Sequence, residues 1–517
     1  MNYLSVLVVA VAVTLLYLIA RVIYLAFFHP LAKYPGPFLS KFTCARASYY
    51  AWRGDIHIDI WRCHEKYGDY MRYGPNQLYV NTPKGLRDVY GPTTSNKFLK
   101  SSHYEVMTHQ AANTFTHRGG KEHLRRRRIM AQAVSTKAQL EYEPRLVGHI
   151  QKFCNAVFKG EPMNMAKWCN YLAFDSMTDV VFGAQYNLLG DEKFRYVPEM
   201  IEKSNVRISS LVQFPGLTWL RLDKHLFQEA IYARNRFLKF VFRLLSDRRA
   251  LSHGTARGVF ENPSISLDVY SRLQDARDPV TGEGFGHDEI ASESTTLIVA
   301  GSDTSACATA SILFYLANNP HAYARVAEEV RAVRSSRPGH LAAADLAGCK
   351  YLRACIDEAL RMSPPVGTGL MREVAAPGGL VVDGHVVPMG CEVGVGTYAI
   401  HHSTRAFEDP FVYRPERWLA PDESAHARAC FVPFSAGIRS CLGKGLAYTE
   451  VTLTIGHLLW LGDFKLVADA ELAAVGRGSR KLGVDGRHRE GEYQLYDHIA
   501  GQKNGPWLQF TRRAEVQ

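Results

Sequence analysis

The chain's chemistry concentrates around one thiol, in Phe434-Ser435-Ala436-Gly437-Ile438-Arg439-Ser440-Cys441-Leu442-Gly443. Residues Leu442 to Trp460 are good helix formers, so a helix is expected to begin near Cys441 and run to about Trp460. A thiol at a helix N terminus meets unpaired backbone N–H groups, which favour the thiolate and moderate its electron donation. Gly437 and Gly443 can let backbone pass close to a flat ligand. Arg439 can pair with an anionic group, and Phe434 can cover the sulfur and keep water away. An ordinary buried cysteine beside a glycine turn would carry the same residues.

A second group lies in a long apolar stretch, Ala300-Gly301-Ser302-Asp303-Thr304. Ala300 and Thr304 are four apart and share one helix face. Gly301 leaves backbone room beside a small bound molecule. The Thr304 hydroxyl can bond to that molecule or hold water, and Asp303 can relay protons through water. Elsewhere, Glu358 and Arg361 stand three apart on a helical face, a pair worth only about 0.2–0.5 kcal/mol if exposed. Four arginines in a row, Arg125 to Arg128, cannot all share one face of a helix.

The elements that must position these groups are mostly helices. Periodicity predicts helices over 119–134, 137–156, 165–182, 194–210, 223–248, 286–318, 321–335 and 348–363. Residues 71–80 read as a strand, and Val381–Ile400 holds short strand-like runs broken by Gly384, Pro388 and Gly390. The pattern is mainly α with small β-sheets, without regular strand–helix alternation.

The 517 residues can bury a large core, and 47% apolar content excludes a disordered chain. Ten scattered cysteines form no CxxC pair and no zinc-finger spacing. The net charge of +11 does not imply nucleic-acid binding; a solvated face, an anionic cofactor or an acidic protein partner explains it better. Uncharged through residue 20, the first stretch continues apolar past Arg21 to Phe28, long enough to cross a bilayer. A secretory signal competes, but no basic region precedes the apolar run. Arg21, Lys33, Lys41 and Arg46 follow the segment, which places the body in the cytosol. We therefore expect an anchor over 1–29, a proline-containing linker and start of the body over 30–48, and one catalytic domain over 49–517. In a eukaryotic cell this is a single-pass protein of the endoplasmic reticulum membrane.

The cysteine segment resembles the heme-binding motif of cytochrome P-450 enzymes, Phe-x-x-Gly-x-Arg-x-Cys-x-Gly, with every specified residue present. Further likenesses are Tyr67-Gly68, Phe174-Asp175, Phe182-Gly183 and Phe407-Glu408-Asp409-Pro410. The resemblance implies the cytochrome P-450 fold, with heme b between a long distal helix and the cysteine-ligand helix, and iron held by Cys441. Ala300, Gly301, Asp303 and Thr304 are implied on the oxygen side; a thiolate ligand favours O–O cleavage there. Arg439, His123, Arg127 and Arg372 are implied propionate contacts, His123 replacing a commoner tryptophan. Glu358, Arg361 and Arg417 resemble the family's interior charged triad. The implied activity is monooxygenation of a lipophilic or aromatic substrate with O2, using NADPH through a separate flavoprotein reductase, with cytochrome b5 as a second donor. Fungal detoxification and secondary-metabolism members are the nearest in texture, of the benzoate para-hydroxylase or trichothecene-pathway kind. Phenol coupling, ring closure and desaturation are the alternatives on the same scaffold, and a heme sensor or electron carrier is the alternative outside catalysis. Substrate contacts are expected from 100–118, Arg207–Pro215, Thr296–Ala300, Val366–Leu370 and Tyr496–Trp507.

Overall fold

Apolar spacing becomes helix along most of the chain. The computed structural model describes residues 3–92, 97–108, 111–252 and 268–514. Its principal helices are α1 (Tyr3–Ile23), α2 (Gly120–Ala133), α3 (Thr136–Val157), α4 (Met165–Phe182), α5 (Tyr196–Gln213), α6 (Gln228–Ser252), α7 (His287–Asn318), α8 (Lys350–Met362) and α9 (Lys444–Leu461). The expected 223–248 helix is divided, because a short helix Leu222–Leu226 ends at Phe227 before α6 begins.

Helix α7 runs through the middle of the body and packs most closely on α4. Glu289 in its first turn accepts a hydrogen bond from the Gly286 N–H at 2.9 Å, which satisfies one free amide and suits the helix dipole. The main core gathers Ile150 of α3, Phe174 of α4, Phe314 of α7, Ile356 of α8 and Leu458 of α9. Three of these helices, α4, α8 and α9, pack against α7, so the Ala300–Thr304 stretch is held from several sides.

The segment 71–80, expected as one strand, is a hairpin of β1 (Tyr70–Gly74) and β2 (Gln77–Val80). Pro75 and Asn76 turn the chain, which the apolar alternation on either side conceals. With β3 (Phe98–Lys100), β4 (Arg372–Val374) and β5 (Glu392–Gly394) it makes a five-stranded sheet in the order β1-β2-β5-β4-β3. Only the β2–β5 pair is parallel. A C-terminal hairpin, β6 (Tyr496–His498) and β7 (Ala500–Gln502), completes the elements that reach the site. The fold is mainly α with small β-sheets.

Helix α1 buries none of its side chains, and Tyr3–Phe28 is long and apolar enough to cross a bilayer. It gives the chain a membrane-associated topology. The following proline segment docks on the body. The Arg72 N–H donates to Pro35 O at 2.8 Å, and Leu31 and Tyr34 are buried. A Cβ on Gly36 would stand 2.1 Å from Arg72 O, so only glycine allows this approach. The Arg72 guanidinium also donates to Leu25 O at 2.7 Å, tying the end of the apolar helix to the sheet.

Glu358, Arg361 and Arg417 meet in the interior with side chains 0–1% exposed. Arg361 grips both oxygens of Glu358, at 3.0 and 2.8 Å, and Arg417 Nε donates to Oε1 at 3.0 Å. Trp418 Nε1 donates to Oε2 at 2.9 Å, and the Arg414 N–H to Oε1 at 3.1 Å. Burial alone would raise the Glu358 pKa, but the charges of Arg361 and Arg417 and their hydrogen bonds bring it below the usual carboxylate value. Removing the carboxylate leaves two guanidinium groups buried together. Glu358→Ala is therefore expected to lower unfolding free energy by about 3–5 kcal/mol, measured by denaturant titration; a loss below about 1 kcal/mol would show the cluster to be dispensable.

Candidate active site

The cysteine loop is shaped from behind. Gly437 adopts φ +66°, and a Cβ there would lie 2.0 Å from Tyr90 O. Its freedom therefore serves a close contact with protein backbone. A 3-10 turn, Gly437–Arg439, follows, and the Cys441 N–H donates to Phe434 O at 2.9 Å to close the loop. Helix α9 begins at Lys444, three residues later than Cys441, because Gly443 occupies the capping position. A Cβ on Gly443 would meet only the Cys441 sulfur, at 3.8 Å, so this glycine does leave an open face. Phe434 packs its ring on Tyr448 at 5.0 Å beside the loop.

Of the ten cysteines, Cys441 alone is exposed, and it is exposed to an interior cavity of about 960 Å³. Enclosure raises the thiol's pKa, while the Gly443 N–H, Arg127 and the Lys444 N–H oppose that rise. The sulfur thus sits at a helix N terminus as expected, with backbone donors directed at it.

The same cavity is lined by Ala300, Gly301, Asp303 and Thr304 of α7. Ala300 is exposed to it, and the Thr304 hydroxyl donates to Ala300 O at 2.7 Å. A Cβ on Gly301 would stand 2.5 Å from Met177 Cε, so this glycine lets α7 and α4 approach closely. The room it leaves is occupied by Met177. Asp303 turns toward α5 and accepts a hydrogen bond from Asn205 Nδ2 at 3.1 Å. Burial, with the Glu202 charge, pushes its pKa up to about 7.

Cationic side chains crowd one edge of the cavity. Arg127 donates to Ser440 O at 2.8 Å and to Ser440 Oγ at 3.2 Å. Arg439 donates to His117 O at 2.9 Å and to Arg118 O, and Arg372 to Leu370 O at 3.1 Å. His123, 3% exposed, stands among them on α2. Lys100 joins them; it donates to Phe115 O at 2.6 Å and lies over the Phe115 ring at 3.4 Å. Sequence reasoning missed Lys100, since nothing in Phe98-Leu99-Lys100 says which way the lysine turns. Among the described residues, no carboxylate stands within ion-pair distance of Lys100, Arg127, Arg372 or Arg439. Burial and the neighbouring Arg372 and Arg127 hold the Arg439 pKa down to about 9. Burial, Arg439 and Arg127 hold the His123 pKa near 3. So many unneutralised cations around an apolar chamber fit a ligand carrying two carboxylates, and the thiol that shares this chamber with Ala300 fits an iron ligand. The donor set suits heme.

The other arginines of the run are each answered by a carboxylate of the body. Arg126 pairs with Glu122 at 2.7 Å and with Glu289, Arg125 with Glu122 at 2.7 Å, and Arg128 with Asp278 at 2.5 Å.

Of the expected substrate-facing segments, 100–118, Thr296–Ala300 and Val366–Leu370 all contribute lining residues. Arg207 points away to Asp223, leaving Ile208, Val212 and Gln213 from its segment. From Tyr496–Trp507 only the hairpin tip, Ile499 and Ala500, reaches the cavity. Helix α6 adds Phe237, Leu238, Val241 and Leu245, an apolar stripe at helical spacing that sequence alone cannot separate from core.

Residues 35–470 match the family model for cytochrome P450. The chain is 42% identical over 506 residues to the cytochrome P450 monooxygenase poxM of Penicillium oxalicum, covering 96% of this chain and 93% of that protein. It is 42% identical over 528 residues to the monooxygenase AKT7 of Alternaria alternata, covering 98% and 97%. With the monooxygenase atnE of Emericella nidulans it shares 39% identity over 512 residues, covering 95% and 93%. A cavity walled by thiol, apolar helix and cations thus sits within a match that takes in most of the chain and nearly all of each relative. The chain belongs to the cytochrome P450 family: it is a heme-thiolate monooxygenase that takes electrons from NADPH through a flavoprotein reductase and acts on small lipophilic or aromatic molecules.

Proposed function

We propose that the Cys441 sulfur would hold the iron of heme and that Thr304 governs proton delivery on the α7 side of the same cavity. The observation that carries this reading is the exposure of Cys441, alone among ten cysteines, to the cavity that Ala300 and Thr304 also line. Bound heme supplies the redox chemistry that activates dioxygen, tuned by the thiolate and a dry pocket. Phe434, Gly437 and Gly443 shape the cradle of the sulfur. Arg439, Arg127, Arg372 and His123 hold the propionates, with Lys100 beside them. Asp303 moves protons toward Thr304, whose hydroxyl can exchange its bond to Ala300 O for one to oxygen or water. Gly301 keeps α7 close to α4, and the triad of Glu358, Arg361 and Arg417 fixes the approach to the cysteine loop.

The substrate is a fungal secondary metabolite or a xenobiotic, oxidised by insertion of one oxygen atom. Apolar lining from α6 and α7, with few polar groups, supports a lipophilic molecule. Residues 1–29 anchor the chain once in the endoplasmic reticulum membrane, 30–48 strap the body to it, and 49–517 form one cytosolic catalytic domain. Basic residues following the apolar helix support that orientation. The microsomal NADPH-dependent reductase is the electron donor, with cytochrome b5 as a second.

Cys441→Ala should abolish the red-shifted Soret band of the reduced carbon monoxide complex; a band of unchanged position would refute the ligand assignment. Thr304→Ala should divert oxygen to peroxide and lower coupled product on the order of 10²-fold. Product and peroxide yields per NADPH measure this, and unchanged coupling counts against the role of Thr304. Arg439→Gln should relieve repulsion in the heme-free protein while weakening heme retention by about tenfold, as loss of a charge-assisted hydrogen bond requires. Transfer of heme to excess apomyoglobin reads that loss, and equal retention would remove Arg439 from the propionate site.

A further inference from the structure

One corner of the cavity is polar where most of its wall is apolar. Thr368 lines it and is 8% exposed, and among the described residues its hydroxyl makes no hydrogen bond. Tyr79 of β2 stands next to it, almost wholly buried, with a hydroxyl that makes none either. The two hydroxyls nevertheless lie close enough for Thr368 to oppose the rise that burial gives the Tyr79 pKa. Gly369 allows the approach. A Cβ there would lie 2.5 Å from Tyr79 Cε1 and 3.1 Å from its hydroxyl oxygen.

A buried carboxyl holds this corner in place. Asp497 of β6 is 3% exposed, and among the described residues no side chain donates to it. Burial raises its pKa to about 7, and the backbone N–H groups of Thr368, Gly367 and Ile499 oppose that rise. Three main-chain donors from two separate segments thus face one carboxyl. Gly367 admits it, since a Cβ there would stand 3.3 Å from Asp497 Oδ2 and 2.9 Å from His57 Cβ. The two segments are also tied directly, the Gly501 N–H donating to Pro365 O at 2.8 Å. The Tyr398 N–H donates to Gly367 O at 2.8 Å from the other side. Ile499 lines the cavity and is held at φ +74°, a left-handed value that β-branched residues rarely adopt. Asp497 therefore binds a polar wall residue, Thr368, to an apolar one, Ile499.

The direction of hydrogen bonding follows from acidity. A phenol donates more readily than an alcohol, and burial keeps the proton on Tyr79. With Tyr79 donating to Thr368 Oγ1, the threonine hydrogen is left for a third oxygen. Such a chain strengthens each of its bonds. Buried hydroxyls without a protein partner persist where water or a ligand satisfies them. Around this one stand Val366, Leu370 and Ile499, so the molecule that meets it must be mostly hydrocarbon.

We propose that the Thr368 hydroxyl donates to an acceptor oxygen, such as a ketone, on an otherwise hydrocarbon substrate, and that Asp497 is the positioning residue that aims it. This names a substrate class within the lipophilic reading given above and rests on that reading. A hydrocarbon without the oxygen would displace water from the corner and leave the hydroxyl unmet. Discrimination thus comes from loss in the wrong ligand as well as gain in the right one.

The test uses the full-length heme-loaded enzyme and two terpenes of one carbon skeleton, the ketone carvone and the hydrocarbon limonene. Ligand entry beside the heme shifts the Soret band, and titration gives each dissociation constant. Carvone should bind on the order of tenfold more tightly than limonene. Thr368→Val, which keeps the branched shape and removes the hydroxyl, should bring the two affinities to within about twofold; Thr368→Ser should keep the preference. Asp497→Asn sets amide hydrogens against the backbone donors, so the preference should fall to about threefold or less while limonene binding holds. A merely structural role would weaken both ligands alike and leave the ratio unmoved. Equal affinities in the unaltered enzyme, or a preference that survives Thr368→Val, overturn the anchor. An unchanged ratio in Asp497→Asn overturns the role of Asp497. Should that variant lose heme, hydrogen exchange of the unaltered enzyme decides: peptides over 366–370 and 496–502 should be protected together, and fast exchange in either contradicts the tie. Binding of neither terpene would overturn the lipophilic reading itself, which is a distinct failure.

Discussion

A sulfur atom can face an interior chamber only if the backbone carrying it is braced from outside, and here that brace is continuous. Gly437 seats the loop against the Tyr90 carbonyl, and the Cys441 N–H closes it on Phe434 O. Two residues upstream of Phe434, the Val432 N–H donates to His401 Nε2 at 2.9 Å. The other ring nitrogen of His401 then carries the hydrogen and donates to Arg361 O at 3.1 Å. Burial and the Arg361 charge hold the His401 pKa near 3, so the ring stays neutral and keeps both bonds. Arg361 also donates to His401 O at 2.8 Å and Pro410 O at 2.7 Å while gripping Glu358. The buried charge cluster and the thiol loop are therefore parts of one framework.

Electrostatics divide the molecule in a consistent way. Where arginines brace the fold, as at Arg126, Arg128, Arg361 and Arg417, a carboxylate answers each one. At the cavity edge, Lys100, Arg127, Arg372 and Arg439 donate to neutral oxygens, and burial with the neighbouring cations lowers the pKa of Lys100 and of Arg439. Repulsion of that kind is costly in a folded chain, and a dianionic ligand reverses its sign. The contrast separates structural arginines from ligand-facing ones where sequence shows only a basic run.

Much of the fold and the central site could be read from the chain because both are local. The cysteine motif spans ten residues, the Ala300–Thr304 group five, and the helices follow apolar spacing. What sequence left open depends on tertiary partners. Gly301 and Gly437 give room to Met177 and to the Tyr90 carbonyl, neither of which is near them in the chain. The hairpin at Pro75 hides inside an alternation that suits one long strand. Lys100 and the α6 stripe become cavity walls only through packing.

The chemistry depends on sulfur ligation by one particular residue, and the most direct measurement is X-ray absorption at the iron edge of the purified full-length protein. That ligation predicts a single sulfur neighbour at thiolate bonding distance, absent from protein in which Cys441 is replaced by histidine. A coordination shell of nitrogen and oxygen alone in the unaltered protein, or sulfur retained after that replacement, would contradict it.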